Sequence, residues 1–107
     1  MKLTVLILLL SPLCLLVSCS KGYEVRFANY STERMDSVII GNSKLVFTHV
    51  ERQTETDYSG IRSGNYSIVC VSESKKRYSS SISISRNGHG KRLIQIDGTG
   101  AINILED

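Results

Sequence analysis

Apolar and polar residues alternate with a period of two through most of the chain after residue 22. Tyr23, Val25 and Phe27 alternate with charged residues, and the same pattern recurs in several later segments. This pattern is typical of half-buried β-strands, because successive side chains of a strand point to opposite faces of a sheet. After residue 22, no stretch keeps the 3.6-residue period of an amphipathic helix for three turns. The sequence therefore predicts an all-β domain over residues 23–107.

Turn-forming residues separate the alternating segments. Gly41-Asn42 suits a tight hairpin turn, Asn87-Gly88 marks a second turn, and the segment 97–100 contains two further glycines. Short strands separated by such turns favour an antiparallel β-sandwich of about seven strands, of immunoglobulin-like or transthyretin-like type. A serine-rich strand over residues 79–85 is either an edge strand or a closely packed one. The predicted core consists of the inward positions Val25, Phe27, Val38, Ile40, Leu45, Phe47, Tyr66, Ile68, Cys70, Ile82, Ile84, Ile94, Ile96, Ile102 and Ile104.

The first eighteen residues have the three parts of a secretory signal peptide. Lys2 supplies a positive charge, an apolar run follows, and Ser18 is a small residue before a cleavage site. The run is about 15 residues long and contains Pro12, whereas a membrane-spanning helix needs about 20 apolar residues. We therefore expect a signal helix over residues 1–18 that is removed from the mature protein. An uncleaved anchor helix is the alternative.

The last residues of this segment, Leu16-Val17-Ser18-Cys19, resemble the lipobox of bacterial lipoproteins. The resemblance implies that the Cys19 thiol is diacylated, that the chain is cut before Cys19 and that the new amine is acylated. Two or more acyl chains attach a protein firmly to a membrane, whereas one chain binds only marginally. Residues 19–22 thus form the lipidated cysteine and a short tether, whose three residues after Cys19 span roughly 10 Å.

The cysteine count and the charge balance argue against a disulfide-stabilised domain and against a nucleic-acid-binding protein. Cys14 leaves with the signal peptide and Cys19 carries lipid, so the mature chain keeps Cys70 alone and forms no internal disulfide. We expect Cys70 to be a small buried residue on a strand rather than a reactive thiol. Residues 21–107 contain twelve Lys and Arg residues against ten Asp and Glu residues, which is not the charge distribution of a nucleic-acid-binding protein.

Residues with catalytic or metal-binding chemistry are sparse. His49 and His89 belong to no known metal-ligand or catalytic spacing, and we expect both on the surface. No Gly-x-Ser-x-Gly motif marks a nucleophilic serine. The sequence therefore predicts a non-enzymatic protein with no catalytic residue, metal ligand or cofactor; a small enzyme is a minor alternative.

One basic run, Lys75-Lys76-Arg77, interrupts the otherwise mixed charge pattern. A solvated loop is the simpler interpretation. The alternative is contact with an anionic lipid or glycan, because basic residues near an anionic surface are attracted to it. The five tyrosines are a second set of candidate contact residues, although alternation places Tyr23, Tyr66 and Tyr78 towards the core.

Beyond the lipobox, several segments resemble small lipoproteins common in Bacteroidota. The resemblance lies in residues 36–41, 56–58, 64–68, 81–85 and 104–107, with the sequences DSVIIG, TDY, GNYSI, SISIS and ILED. It implies a small β-sandwich lipoprotein with no known catalytic residues.

The residue after Cys19 bears on localisation. Ser20, rather than Asp, resembles an outer-membrane sorting signal, and the absence of acidic residues in the tether favours the periplasmic face over the cell surface. The predicted function is that of a non-catalytic binding or structural module of the cell envelope, attached to the membrane through Cys19. Its partner is an envelope protein or a glycan. The alternatives are a surface adhesin or glycan-binding module and assembly through the edge of the 79–85 strand.

Overall fold

The computed structural model describes residues 22–86 and 90–107, and these residues form nine β-strands. They contain no helix, and accordingly no helical segment that could span a membrane. The predicted signal helix over residues 1–18, Cys19 and the Asn87-Gly88 turn lie outside the described residues. In chain order the strands are β1 (Tyr23–Asn29), β2 (Met35–Ile40), β3 (Val46–Val50), β4 (Thr54–Glu55), β5 (Ser59–Ile61), β6 (Gly64–Ser72), β7 (Arg77–Ile84), β8 (Gly90–Ile96) and β9 (Ile102–Glu106).

The strands form two sheets, and all predicted strand segments are present. The β1 sheet has the order β4-β1-β8-β9, with β5 also paired to β1; the β6 sheet has the order β3-β2-β6-β7. The prediction of about seven strands omitted β4 and β5, because segments of two and three residues are too short to show alternation. The 79–85 strand corresponds to β7, which is an edge strand of the β6 sheet, as one of the two predicted alternatives had it.

One strand pairing differs from the predicted antiparallel arrangement. β1 and β8 run parallel over their whole length, from Tyr23 opposite Gly90 to Asn29 opposite Ile96. The β1 sheet is therefore mixed, whereas the β6 sheet is antiparallel. Parallel neighbours need a long crossover connection. Here the intervening chain includes the entire β6 sheet, and local alternation carries no information about such a distant pairing.

The core lies between the two sheets. The burial of its side chains confirms most of the predicted inward positions. Twelve of the fifteen predicted residues are buried, and Leu45, Ile102 and Ile104 are half-buried against them. The rings of Phe27 in the β1 sheet and Phe47 in the β6 sheet stack across the interface, with centroids 6.4 Å apart. Full burial of a large apolar side chain contributes about 1.5–3 kcal/mol, so this layer supplies most of the driving force for folding. Further buried apolar residues are Tyr23, Ala28, Met35, Val50, Ile61 and Leu93.

The sandwich has two ends that differ in their connections. We call the end at which β1 begins the tether end; it holds Gly22 and the connections over residues 41–45, 62–63 and 85–86. The opposite end, the far end, holds the connections over residues 30–34, 51–53, 73–76 and 97–101. β6 runs from the tether end to the far end, and its eight residue steps correspond to about 26 Å.

Candidate functional site

A cleft of about 620 Å³ opens at the tether end, between the β2–β3 turn and the end of β5. Leu45, Ile61 and Tyr66 give it an apolar floor, and the side chains of Lys44 and Arg62 stand at its rim. A smaller cleft of about 320 Å³ shares the wall formed by residues 60–62 and is also lined by Gly22 and Tyr23. We call these two adjoining clefts the tether cleft, because they extend to the point where the chain enters the domain.

Strand pairing places the wall of the tether cleft beside the start of β1. Ile61 pairs with Tyr23, which brings Arg62 next to Gly22. The hydroxyl of Tyr66 donates a hydrogen bond to the backbone carbonyl of Arg62 at 2.7 Å and holds the β5–β6 connection over the core. The position of Arg62 is thus fixed by two elements that are distant from each other in sequence.

Hydrogen bonds within the β2–β3 turn shape the opposite wall. The hydroxyl of Ser43 donates to the carbonyl of Ile40 at 2.7 Å and accepts from the amide of Leu45 at 3.1 Å. Asn42 adopts a left-handed backbone conformation, φ 68°, which asparagine tolerates better than most residues. The predicted Gly41-Asn42 hairpin turn is therefore confirmed, and it presents the exposed Lys44 side chain at the rim of the tether cleft.

The turns of the tether end carry exposed basic residues, and the acidic residues of this end, Glu24, Glu106 and Asp107, lie instead on β1 and at the end of β9. Lys44, Arg62 and Arg86 are exposed, and the described tether-end connections over residues 41–45, 62–63 and 85–86 contain no acidic residue. None of these three cations forms an ion pair within the part of the chain that the structure describes. Their charges are therefore available to an anionic partner.

The predicted contact run, Lys75-Lys76-Arg77, lies at the far end, where β6 turns into β7. The ammonium of Lys75 is 3.5 Å from the carboxylate of Asp36. The Glu33 carboxylate accepts hydrogen bonds from the hydroxyl and amide of Ser74, and these bonds hold the pKa of Glu33 below its usual value. Acidic groups therefore lie beside the start of the basic run, at Ser74 and Lys75.

The tyrosines divide into core and surface residues. Tyr23 and Tyr66 are buried and Tyr78 is half-buried against the core, so the inward positions predicted for these three are confirmed. The hydroxyl of Tyr30 donates to Glu55, and that of Tyr58 donates to Asp107.

Arg26 connects the two surface tyrosines on the outer face of the β1 sheet. Its guanidinium pairs with Glu55 and with Asp107, each at 2.7 Å, and lies 4.9 Å from the ring centroid of Tyr58. The hydrogen bond from Arg26 holds the pKa of Asp107 below its usual value. These groups satisfy one another, and the cluster therefore acts as a brace across the sheet rather than as an open binding site.

Cys70 and His49 occupy the predicted environments. The thiol of Cys70 is fully buried, and burial raises its pKa to about 12, which leaves it protonated and unreactive at neutral pH. His49 is exposed on β3, while His89 lies outside the described residues. Within residues 22–86 and 90–107, no group of three His, Cys, Asp or Glu residues is arranged to hold a metal ion.

The tether cleft has no clear signature in the sequence. Lys44 and Arg62 are isolated basic residues in separate turns of different sheets. The pairing of β5 with β1 and the packing of the two sheets bring them to one cleft. The sole sequence signal was the Gly41-Asn42 turn beside Lys44.

Comparison with known proteins shows similarity of fold. No family model matches the sequence, and no curated protein matches it. Among solved structures, the chain is similar to the NMR structure of a protein from Eubacterium rectale, with a TM-score of 0.51 and 5% sequence identity. The superposition covers 81% of this chain and 89% of that chain. At this identity the likeness shows a shared fold and no more.

Proposed function

We propose that this chain is a lipid-anchored protein of the bacterial cell envelope, and that its β domain is a non-catalytic binding or structural module held close to the membrane. The anchor is Cys19, within the Leu16-Val17-Ser18-Cys19 motif that resembles a lipobox. The finer features of the proposal are an immunoglobulin-like or transthyretin-like topology, kinship with the small lipoproteins of Bacteroidota, and attachment to the periplasmic face of the outer membrane.

The position of Tyr23 is the observation that carries this proposal. Tyr23 is 7% exposed, its hydroxyl lies 3.2 Å from the hydroxyl of Ser85, and the Arg92 guanidinium lies 4.8 Å from its ring centroid. The chain is therefore fixed in the domain from Tyr23 onwards, and only residues 20–22 separate the domain from Cys19. Three residues reach roughly 10 Å, so acylation of Cys19 would hold the domain at the bilayer surface.

The non-catalytic part of the proposal is supported by the surroundings of the thiol and carboxylate groups, which are enclosed or already paired. The Cys70 thiol is enclosed in the core, and the carboxylates of Glu55 and Asp107 are bound to Arg26. These groups serve the packing of the domain. The tether cleft, by contrast, has an apolar floor and two cations that form no ion pair within residues 22–86 and 90–107, which suit recognition of a partner rather than covalent chemistry.

Metabolic labelling with an alkyne analogue of palmitate tests the anchor. The native chain and a Cys14→Ala variant should incorporate the label and fractionate with membranes, because Cys14 lies in the segment that is removed. A Cys19→Ala variant should lose both properties. Labelling that survives Cys19→Ala would place the acyl group on another residue, and membrane association without labelling would favour an uncleaved helix. Either result would disprove a lipid anchor at Cys19.

Protease treatment of intact cells distinguishes the proposed location from the alternative of a surface adhesin or glycan-binding module. A domain on the periplasmic face should resist digestion until the outer membrane is permeabilised. Digestion on intact cells would establish surface display and favour the adhesin.

A further inference from the structure

We infer that the tether end is the membrane-contacting surface of this domain, and that the tether cleft receives the phosphate headgroups of anionic phospholipids. The inference rests on the proposed anchor at Cys19 and adds the orientation of the domain and the class of lipid that it recognises.

The first support is the position of the tether cleft relative to the anchor. Gly22, the last residue before β1, lines the smaller part of the cleft together with Arg62. Residues 20–22 reach roughly 10 Å, so a lipid on Cys19 would place the cleft at headgroup level. The far end lies about 26 Å away along β6, beyond the reach of this tether in an upright domain.

The second support is the charge of the cleft rim. Lys44 and Arg62 both line the tether cleft, and the connections over residues 41–45 and 62–63 that carry them contain no acidic residue. A guanidinium and an ammonium are the groups that bind phosphate oxygens in proteins. Each basic residue near an anionic membrane strengthens attachment by about fivefold.

The third support is the apolar floor of the cleft. Leu45 is half-buried and Ile61 and Tyr66 are buried, so a ligand that enters between the basic residues meets hydrocarbon below the charged rim. This combination matches the boundary of a phospholipid headgroup, where a phosphate adjoins the glycerol and the first methylene groups.

The basic run at the far end lies among acidic residues. Lys75 shares the carboxylate of Asp36 with Arg34, and the carboxylates of Glu33 and Glu73 lie against the same turn through hydrogen bonds to Ser74 and Arg34. These acidic groups offset part of the positive charge, while Lys76 and Arg77 form no ion pair within the described residues. In an upright domain the basic run would point away from the bilayer and into the solvent.

Fluorescence quenching from the headgroup layer tests this orientation. The lipidated protein is purified with Ser63→Cys at the tether end or Thr32→Cys at the far end, and each thiol receives an environment-sensitive fluorophore. Ser63 and Thr32 are both exposed, and the buried Cys70 stays unlabelled in the folded protein. Each sample is reconstituted in vesicles of phosphatidylglycerol and phosphatidylcholine that carry a headgroup spin label.

The label at position 63 should be quenched several-fold more strongly than the label at position 32. The double variant Lys44→Gln/Arg62→Gln should lower quenching at position 63, as should vesicles of phosphatidylcholine alone. The matched variant Lys75→Gln/Lys76→Gln should leave that quenching unchanged.

The outcomes separate this inference from the proposed function. A protein that floats with vesicles but shows equal quenching at both positions, or stronger quenching at position 32, would overturn the orientation and leave the anchor intact. A protein that carries no lipid and does not float would overturn both.

Discussion

The side-chain amide of Asn29 donates a hydrogen bond to the backbone carbonyl of Val50 at 2.9 Å and joins the end of β1 to the end of β3 across the two sheets. The same amide donates to the carbonyl of Glu33 at 2.8 Å. The oxygen of Asn29 accepts from the amide of Ser31 at 3.0 Å and from its hydroxyl at 2.6 Å. One fully buried side chain thereby satisfies four polar groups and sets the geometry of the far end.

Replacement of Asn29 should lower the free energy of unfolding substantially. Asn29→Ala removes the donor to the carbonyl of Val50 and the acceptor of the backbone amide of Ser31. We therefore expect a loss of about 2–4 kcal/mol in the free energy of unfolding. Urea denaturation followed by circular dichroism measures this loss. Asn65→Ala, at an exposed residue that accepts one hydrogen bond from Ser83, is the matched control and should change stability by less than about 0.5 kcal/mol. Equal effects of the two variants would contradict the role given to Asn29.

Gly100 should tolerate no side chain. Its φ of +88° is unfavourable for other residues, and a methyl group there would lie 2.7 Å from Cε1 of Tyr78. We expect Gly100→Ala to destabilise the fold by about 1–3 kcal/mol, since backbone strain and a steric clash act together. Gly98→Ala in the same turn meets no atom within 4 Å and should be nearly neutral. Thermal unfolding of the two variants compares them directly, and a neutral Gly100→Ala would show that the ring of Tyr78 moves freely.

Burial of Cys70 should protect its thiol and make stability depend on pH in the alkaline range. The pKa of this thiol rises from 9.0 to about 12 on folding. The unfolded chain therefore loses a proton that the folded chain keeps, so this stability contribution is complete below pH 9 and declines from there to about pH 12. We expect no reaction with a disulfide reagent at pH 8 in the folded protein and full reaction in urea. Rapid reaction without denaturant would show that Cys70 is accessible.

Asp97 should contribute to stability above the acidic range. The hydroxyl of Thr99 donates to its carboxylate at 2.6 Å, and this bond is the main cause of a pKa below the usual 3.8. A lowered pKa in the folded state means that the contribution is present above pH 3.8 and is lost as the pH falls through the folded value. Urea unfolding of Asp97→Asn from neutral to acidic pH should show a weaker acid dependence than the native chain. Asp57→Asn, which removes an exposed carboxylate, is the control, and identical profiles for native and Asp97→Asn chains would refute the assignment.

The core was predictable because burial of strand residues has a local signature. Alternation around Phe27, Ile68 and Ile94 identified inward positions without knowledge of any partner strand, and the structure buries all three. Turn chemistry was equally local, since the left-handed conformation of Asn42 depends on the residue itself and its neighbours. Two- and three-residue strands carry no such signature, so β4 and β5 were missed.

The candidate site was not predictable in the same way. The basic run at residues 75–77 was the conspicuous sequence signal, yet the fold places it beside Asp36 at the far end. Neither Lys44 nor Arg62 stood out as a binding residue in the sequence, and the packing of the two sheets, with Ile61 paired to Tyr23, places both at one cleft. The surroundings of a charged side chain depend on residues that are distant in the sequence.

The sequence by itself therefore determined the all-β class, the inward face of each long strand and the lipobox-like segment before the domain. Only the tertiary structure decided that β1 pairs in parallel with β8, that β5 closes against the start of β1, and that Lys44 and Arg62 line one cleft. The physical reason is that side-chain alternation specifies the face on which each residue lies. The backbone N–H and C=O groups that join strands are the same in almost every residue, so they do not specify which strands pair. The partner of a strand is set by how the two sheets pack as a whole.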